Sequence, residues 1–211
     1  HWQVIGSLED LDTATLADVR EFYHAWYGPN NATLVLSGDF DPAEARSWIE
    51  KYFGEIPAGS VPPRTPEVPP VDLNETKRLF HEDKLARVPT LTMSWPTVRK
   101  YHADAYPLEL LAALLAESKK SPLYAVIVDQ EKLAPSVDAY IEGGELAGKF
   151  SIWIQGFERV DLNRVDRAIR TALDRFDQEG FTEADLDRVK AVRETAFYDG
   201  YHSISSVLGK A

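Results

Sequence analysis

No cysteine occurs anywhere in this chain. Disulfide frameworks, thiolate metal sites and cysteine nucleophiles are therefore excluded, and either redox compartment is open to it. Positive charge is scarce as well: 23 Lys and Arg stand against 34 Asp and Glu, for a formal net charge of −11. Nucleic acid and anionic membrane both require cationic surface to replace counterions, so neither is expected as a partner. The bland reading of the deficit is a self-repelling, soluble surface; the sharper one is an acidic chamber that attracts basic peptides. No run of about 18 apolar residues exists, so no membrane span is expected. His1-Trp2-Gln3-Val4 shows neither the basic segment nor the apolar run of a signal peptide. A start at His1 without Met suggests a processed or excised piece, whose compartment is unread. The histidines are His1, His24, His81, His102 and His202, and no two are spaced as in a helical zinc pair.

What is present is enough for a real core: 44% of the 211 residues are hydrophobic, sufficient for one large domain or two small ones. Thr15-Leu16-Ala17-Asp18 is a capping box, followed by Leu16, Val19, Phe22, Tyr23 and Trp26 at helical spacing. Gly28-Pro29-Asn30-Asn31 breaks that helix, and Ala32 to Ser37 reads as a buried strand. Asp41 with Pro42 opens a second helix, whose buried stripe is Ala45, Trp48, Ile49, Tyr52 and Phe53, and Gly54 ends it. Residues 56–70 hold six of the thirteen prolines and read as a stiff, extended, protease-sensitive linker. Beyond it, Thr76 to Glu82 and Thr90 to Trp95 read as strands; in the second, Leu91, Met93 and Trp95 alternate with Thr90, Thr92 and Ser94. Asp104 caps a helix bearing Leu108, Leu111, Ala112 and Leu115, and Ser121-Pro122 opens a short helix over Leu123 to Val128. Ser136 to Glu142 and Lys149 to Phe157 form a hairpin around Gly143, Gly144 and Gly148. Leu162 to Glu179 is an amphipathic helix ended by Gly180, and Thr182-Glu183-Ala184-Asp185 caps a last one with Leu186, Val189 and Phe197. Strand pairs followed by helices give an α+β class, a mainly antiparallel sheet with helices packed on one face.

The junction Tyr27-Gly28-Pro29-Asn30-Asn31-Ala32-Thr33-Leu34-Val35-Leu36-Ser37-Gly38-Asp39 resembles the end of the first repeat in the M16 zinc metallopeptidases, the pitrilysin, insulysin and mitochondrial processing peptidase family. Val4-Ile5-Gly6-Ser7 with Glu9-Asp10-Leu11, Phe53-Gly54-Glu55-Ile56-Pro57 and Phe181-Thr182-Glu183-Ala184-Asp185-Leu186 are similar to further landmarks of that family, in order and across the linker. The resemblance implies a LuxS/MPP-like metallohydrolase-type repeat. Residues 1–55 would be the tail of the first, zinc-binding repeat with its ligands absent. Residues 56–71 would be the linker, and 72–211 a second, non-catalytic repeat cut short after positions like Val207 and Leu208. The family's inverted motif His-x-x-Glu-His lies upstream of the junction, where only residues 1–26 precede it here. No cofactor is therefore expected in this chain, and zinc is expected in the parent protein. The implied partners are the missing zinc-binding part, a second clamshell half, and a peptide substrate met through the parent. In the family's C-terminal half an Arg and a Tyr seven residues later contact substrate; Val128 and Pro135 stand there and supply no side-chain donor. The piece thus resembles the half that lacks the pair, or an inactive paralogue.

Local chemistry is thin. His81-Glu82-Asp83 lacks a nucleophile elbow and reads as a polar strand end. Glu142-Gly143-Gly144-Glu145 sits on a mobile tip that cannot hold a glycosidase pair. Trp48, Tyr52, Phe53 and Trp95 fall at core spacing, which favours packing over base stacking. His24 lies off its helix's apolar stripe. By resemblance, the strand residues Val137, Asp138, Ala139 and Tyr140 bind the end of a substrate peptide, by strand addition. The expected role is a non-catalytic fragment of a zinc metalloendopeptidase, forming chamber wall and substrate contacts. The alternative is a structural or binding partner subunit of the same family without peptidase activity.

Overall fold

The computed structural model describes residues 5–60 and 71–201. His1, His202, Val207, Leu208 and the proline-rich residues 61–70 lie outside them. The chain divides into two compact units, His1–Pro66 with Tyr198–Ala211, and Glu67–Phe197.

The first unit is helical because its caps are local and complete. Helix α1 (Leu8–Thr13) starts at Ser7, whose hydroxyl accepts from the Asp10 N–H at 3.0 Å. Helix α2 (Leu16–Trp26) begins with the reciprocal capping box: the Thr15 N–H donates to Asp18 at 2.8 Å, and the Asp18 N–H donates to the Thr15 hydroxyl at 3.3 Å. A short 3₁₀ turn, Pro29–Asn31, follows. Helix α3 (Pro42–Phe53) is capped by Asp41, which accepts from the N–H groups of Ala43 and Glu44. The strand expected over Ala32 to Ser37 does not form; Leu34, Val35 and Leu36 are exposed, in coil. A strand exists only as a member of a ladder, and no strand lies among the described residues of this unit. The apolar stripes of α2 and α3 are likewise not buried: Phe22, Trp48, Tyr52 and Phe53 all stay more than half exposed. Helical periodicity marks a face able to pack; it does not supply the element that covers it.

The second unit holds the core. Strand β1 (Thr90–Thr97) precedes helix α4 (Ala105–Ala116) and a short helix α5 (Pro122–Tyr124). The chain then runs into a π-helical turn, Ala125–Gln130, closed by the Glu131 N–H on the Val126 carbonyl at 2.9 Å. Strands β2 (Asp138–Gly143) and β3 (Gly148–Gln155) make the hairpin, and helices α6 (Leu162–Glu179) and α7 (Glu183–Asp199) follow. The sheet is antiparallel, in the order β1-β3-β2. One face carries Leu91, Met93, Ala139, Phe150, Ile152 and Ile154. These pack with Ala112 and Leu115 of α4, Leu123 and Ile127, and Val165, Ile169 and Ala172 of α6. Helices on one face of an antiparallel sheet make this an α+β fold. Asp104 takes the N-cap position of α4 without a side-chain hydrogen bond. Gly180 ends α6 at φ 66°, a backbone that L side chains resist. Thr76 to Glu82 forms no strand, and Leu79 and Phe80 project almost fully into solvent. Its composition is that of a strand, but no ladder partner for it lies among the described residues. Trp95, expected in the core, is 41% exposed, with its ring edge against Phe150.

Candidate functional site

Strand β2, like β1, is an outer strand of the sheet. Among the described residues it pairs with β3 alone, so its other side is a free edge. In an antiparallel strand every second residue turns its N–H and C=O away from its partner, here toward that edge. The helix-covered face anchors the strand: Ala139 lies opposite Ile152 and Ile141 opposite Phe150, and both partners are buried. Val137, just before the strand, is itself only 5% exposed. The edge is thus rigid where a mobile loop would waste binding energy on ordering.

A cavity of about 410 Å³ opens beside the start of β2, bordered by Val137, Asp138 and Ala139 and by Glu117, Ser118 and Lys119 after α4. Arg193 of α7 donates to Glu117 at 3.0 Å and ties that wall to the last helix. Ser121, buried at the head of α5, accepts from the Ser118 N–H at 3.1 Å and fixes the turn. A second cavity, about 1360 Å³, runs along β1 under the extended residues 71–83. There Arg78 lies 3.6 Å from Asp166, whose carboxyl is held below the ordinary range chiefly by the Arg170 hydrogen bond and also by Arg78.

The four residues singled out in the sequence stand together but play different parts. Val137 is a core side chain, Asp138 opens β2 and is exposed, Ala139 is partly covered, and Tyr140 faces the open side, opposite Ser151. At the hairpin end, Lys149 pairs with Glu142 at 2.6 Å; that hydrogen bond raises the Lys149 ammonium above its usual value. The sequence reasoning missed the wall formed by Glu117 and Arg193, because an ion pair between distant helices leaves no local signal. It also passed over Ser118, although Ser-x-x-Ser before a proline is a turn signal. His24, His81 and Glu145 are exposed, and His81 sits in coil. Among the described residues no group of three or more His, Asp or Glu side chains is placed to hold a metal ion. These residues therefore do not fit zinc, and no step of hydrolysis is assigned to them. No described helix is long and apolar enough to cross a membrane.

The family model for the peptidase M16 inactive domain matches residues 13–193. The chain is 24% identical over 212 residues to the zinc protease PqqE of Helicobacter pylori, covering 99% of this chain and 47% of that protein. It is 26% identical over 200 residues to the probable zinc protease PqqL of Escherichia coli, covering 90% of this chain and 21% of that one. A solved peptidase M16 inactive domain from Pseudomonas fluorescens shares the fold with TM-score 0.78 at 17% identity, over 99% of this chain and 48% of that one. A solved protease from Helicobacter pylori matches with TM-score 0.77 at 23% identity, over 99% and 51%. The chain spans about half of the Helicobacter protein's length and a fifth of the Escherichia protein's.

Proposed function

This chain belongs to the peptidase M16 inactive-domain family, and from that membership we propose that it is a non-catalytic part of a larger zinc metalloendopeptidase. Its role there is to form chamber wall and to hold substrate. Zinc belongs to another part of the parent protein, as does the second half of the clamshell. We take residues 1–55 as the tail of a first repeat, 56–71 as its linker and 72–211 as the second, non-catalytic repeat. The peptide substrate adds as a strand to the free edge of β2, along Val137, Asp138, Ala139 and Tyr140, and main-chain hydrogen bonds give an affinity tolerant of sequence.

The observation that carries this reading is the free, rigidly backed edge of β2 next to a cavity. Amide hydrogen exchange with an extended, unstructured peptide tests it. Amides of residues 138–142 that point to the edge are expected to slow on binding. A peptide N-methylated at alternate residues, so that one edge cannot donate, is expected to bind weakly and give no slowing. Protection confined to the cavity along β1, with β2 unaffected, would remove the reading.

A further inference from the structure

The sheet face turned away from the helices carries its side chains in cross-strand rows. Register puts Thr92, Trp153 and Asp138 in one row, Ser94, Ser151 and Tyr140 in the next, and Pro96, Lys149 and Glu142 in a third. Two contacts bear out the shared face: the Ser94 and Ser151 hydroxyls meet at 2.9 Å, and Lys149 reaches Glu142 at 2.6 Å. Glu142 is thereby neutralised. Asp138 is not: it is exposed, and no cation among the described residues pairs with it. Its direct cross-strand neighbour is the partly exposed Trp153, and such neighbours hold their Cβ atoms about 5 Å apart. An unpaired carboxylate therefore stands beside an indole, in the row that begins at the free edge of β2.

We propose that Asp138 and Trp153 form a subsite for a basic side chain, arginine above all, of a peptide strand added to β2. This rests on the strand-addition reading and names the substrate chemistry of that same edge. An added strand lies about 4.8 Å beyond β2, with Trp153 one strand spacing further in. Its residue opposite Asp138 projects onto the same face. An arginine laid across the strands passes the carboxylate and brings its guanidinium to the indole. Stacking on the ring and charge-assisted hydrogen bonds to the carboxylate then act on one planar group, a combination that arginine matches and lysine matches less well. Thr92, at the far end of the row, is a short side chain beside the partly exposed indole. An acidic residue at this position would face Asp138 directly, and like charges opposed across strands repel. The net charge of −11 favours the same peptides at long range.

The test uses two extended peptides identical except for one central residue, arginine in one and its neutral isostere citrulline in the other. Binding to the full 211-residue chain is followed by calorimetry, and β2 by hydrogen exchange. The arginine peptide is expected to bind about tenfold more tightly. Asp138→Asn, an exposed change, is expected to cut that ratio to about twofold. Trp153→Phe is expected to retain more of the preference than Trp153→Leu, with circular dichroism checking that both variants fold. The indole N–H signal of Trp153 should move with the arginine peptide and stay still with the other. Equal affinities for the two peptides, with both slowing exchange in β2, would overturn the subsite and leave strand addition standing. Absence of any slowing in β2 would overturn both. Equal weakening of both peptides by Asp138→Asn would show a structural effect and overturn the subsite.

Discussion

At the scale of single residues, the two faces of β3 set opposite expectations. Ile152 is fully buried between Met93 and Ala139 on the helix-covered face. Ile152→Ala should cost about 2–5 kcal/mol in denaturant unfolding, from lost transfer free energy plus the cavity left behind. A loss below about 1 kcal/mol would mean that the helix layer does not close over the sheet. Charge at the start of α7 gives a second expectation. Asp185 accepts from the Thr182 hydroxyl at 2.6 Å and the Thr182 N–H at 3.1 Å, and these bonds hold its carboxyl below the ordinary value of 3.8. A depressed value in the folded state means that the cap stabilises above the ordinary aspartate range and is lost as pH falls through the folded value. An NMR titration of the Asp185 carboxyl should find its midpoint below 3.8; a midpoint at or above that value would show that the capping box does not persist in solution. This cap was legible from four consecutive residues, because capping is a contact within one turn. The neighbour of Asp138 was not legible, since Trp153 reaches it only through hairpin register.

At the scale of elements, what was readable in the sequence divides by the range of the forces involved. Helices α2, α3, α6 and α7 lie where caps and spacing place them, and the β2–β3 hairpin follows its glycines and alternation. The short apolar run after Pro122 was expected as a helix and is one, but its change to π geometry at Ala125 depends on packing that no local pattern reports. The segments at 32–37 and 76–82 have strand composition and no strand, because β-propensity describes fitness for a ladder and leaves the partner unspecified. Two glycines make testable joints. Gly180 ends α6 at φ 66° and ψ −149°, a region nearly confined to glycine, and an added Cβ would touch nothing within 4 Å. Gly180→Ala should therefore cost about 1–3 kcal/mol through backbone strain alone. An unchanged stability would mean that the helix end relaxes. Gly59 exchanges hydrogen bonds with the Asn30 amide, its N–H donating at 2.8 Å and its carbonyl accepting at 3.2 Å. The start of the proline-rich stretch, read from the sequence as a stiff, extended linker, is thus pinned to the turn after α2. Asn30→Ala should speed exchange of the Gly59 amide and open the 58–60 backbone to proteolysis; equal protection in the variant would show another anchor.

At the scale of the whole molecule, burial is unequally shared. Every buried hydrophobic side chain found among the described residues lies between Ala105 and Val189, in the second unit. The helices of the first unit keep Leu16, Val19, Phe22, Tyr23, Trp48 and Tyr52 exposed. Local stability follows buried apolar contact, so the two units should not share one opening free energy. Native-state hydrogen exchange across a denaturant series measures this directly. Amides of β3 and α6 are expected to exchange only through global unfolding, with a strong denaturant dependence. Amides of α2 and α3 are expected to exchange through smaller openings, held by caps and helical hydrogen bonds, with a weak dependence. Helices of this length are marginal in water without a packed face. Equal protection in all four elements would contradict this division. It would require the apolar faces of α2 and α3 to be covered in solution, and a dependence of their protection on protein concentration would then identify the cover as a second copy of the chain. Protection independent of concentration would instead place the cover within one chain. If both units prove separable as expected, binding of an extended peptide at β2 should leave the exchange of α2 and α3 unchanged, since the edge and its backing core lie wholly in the second unit.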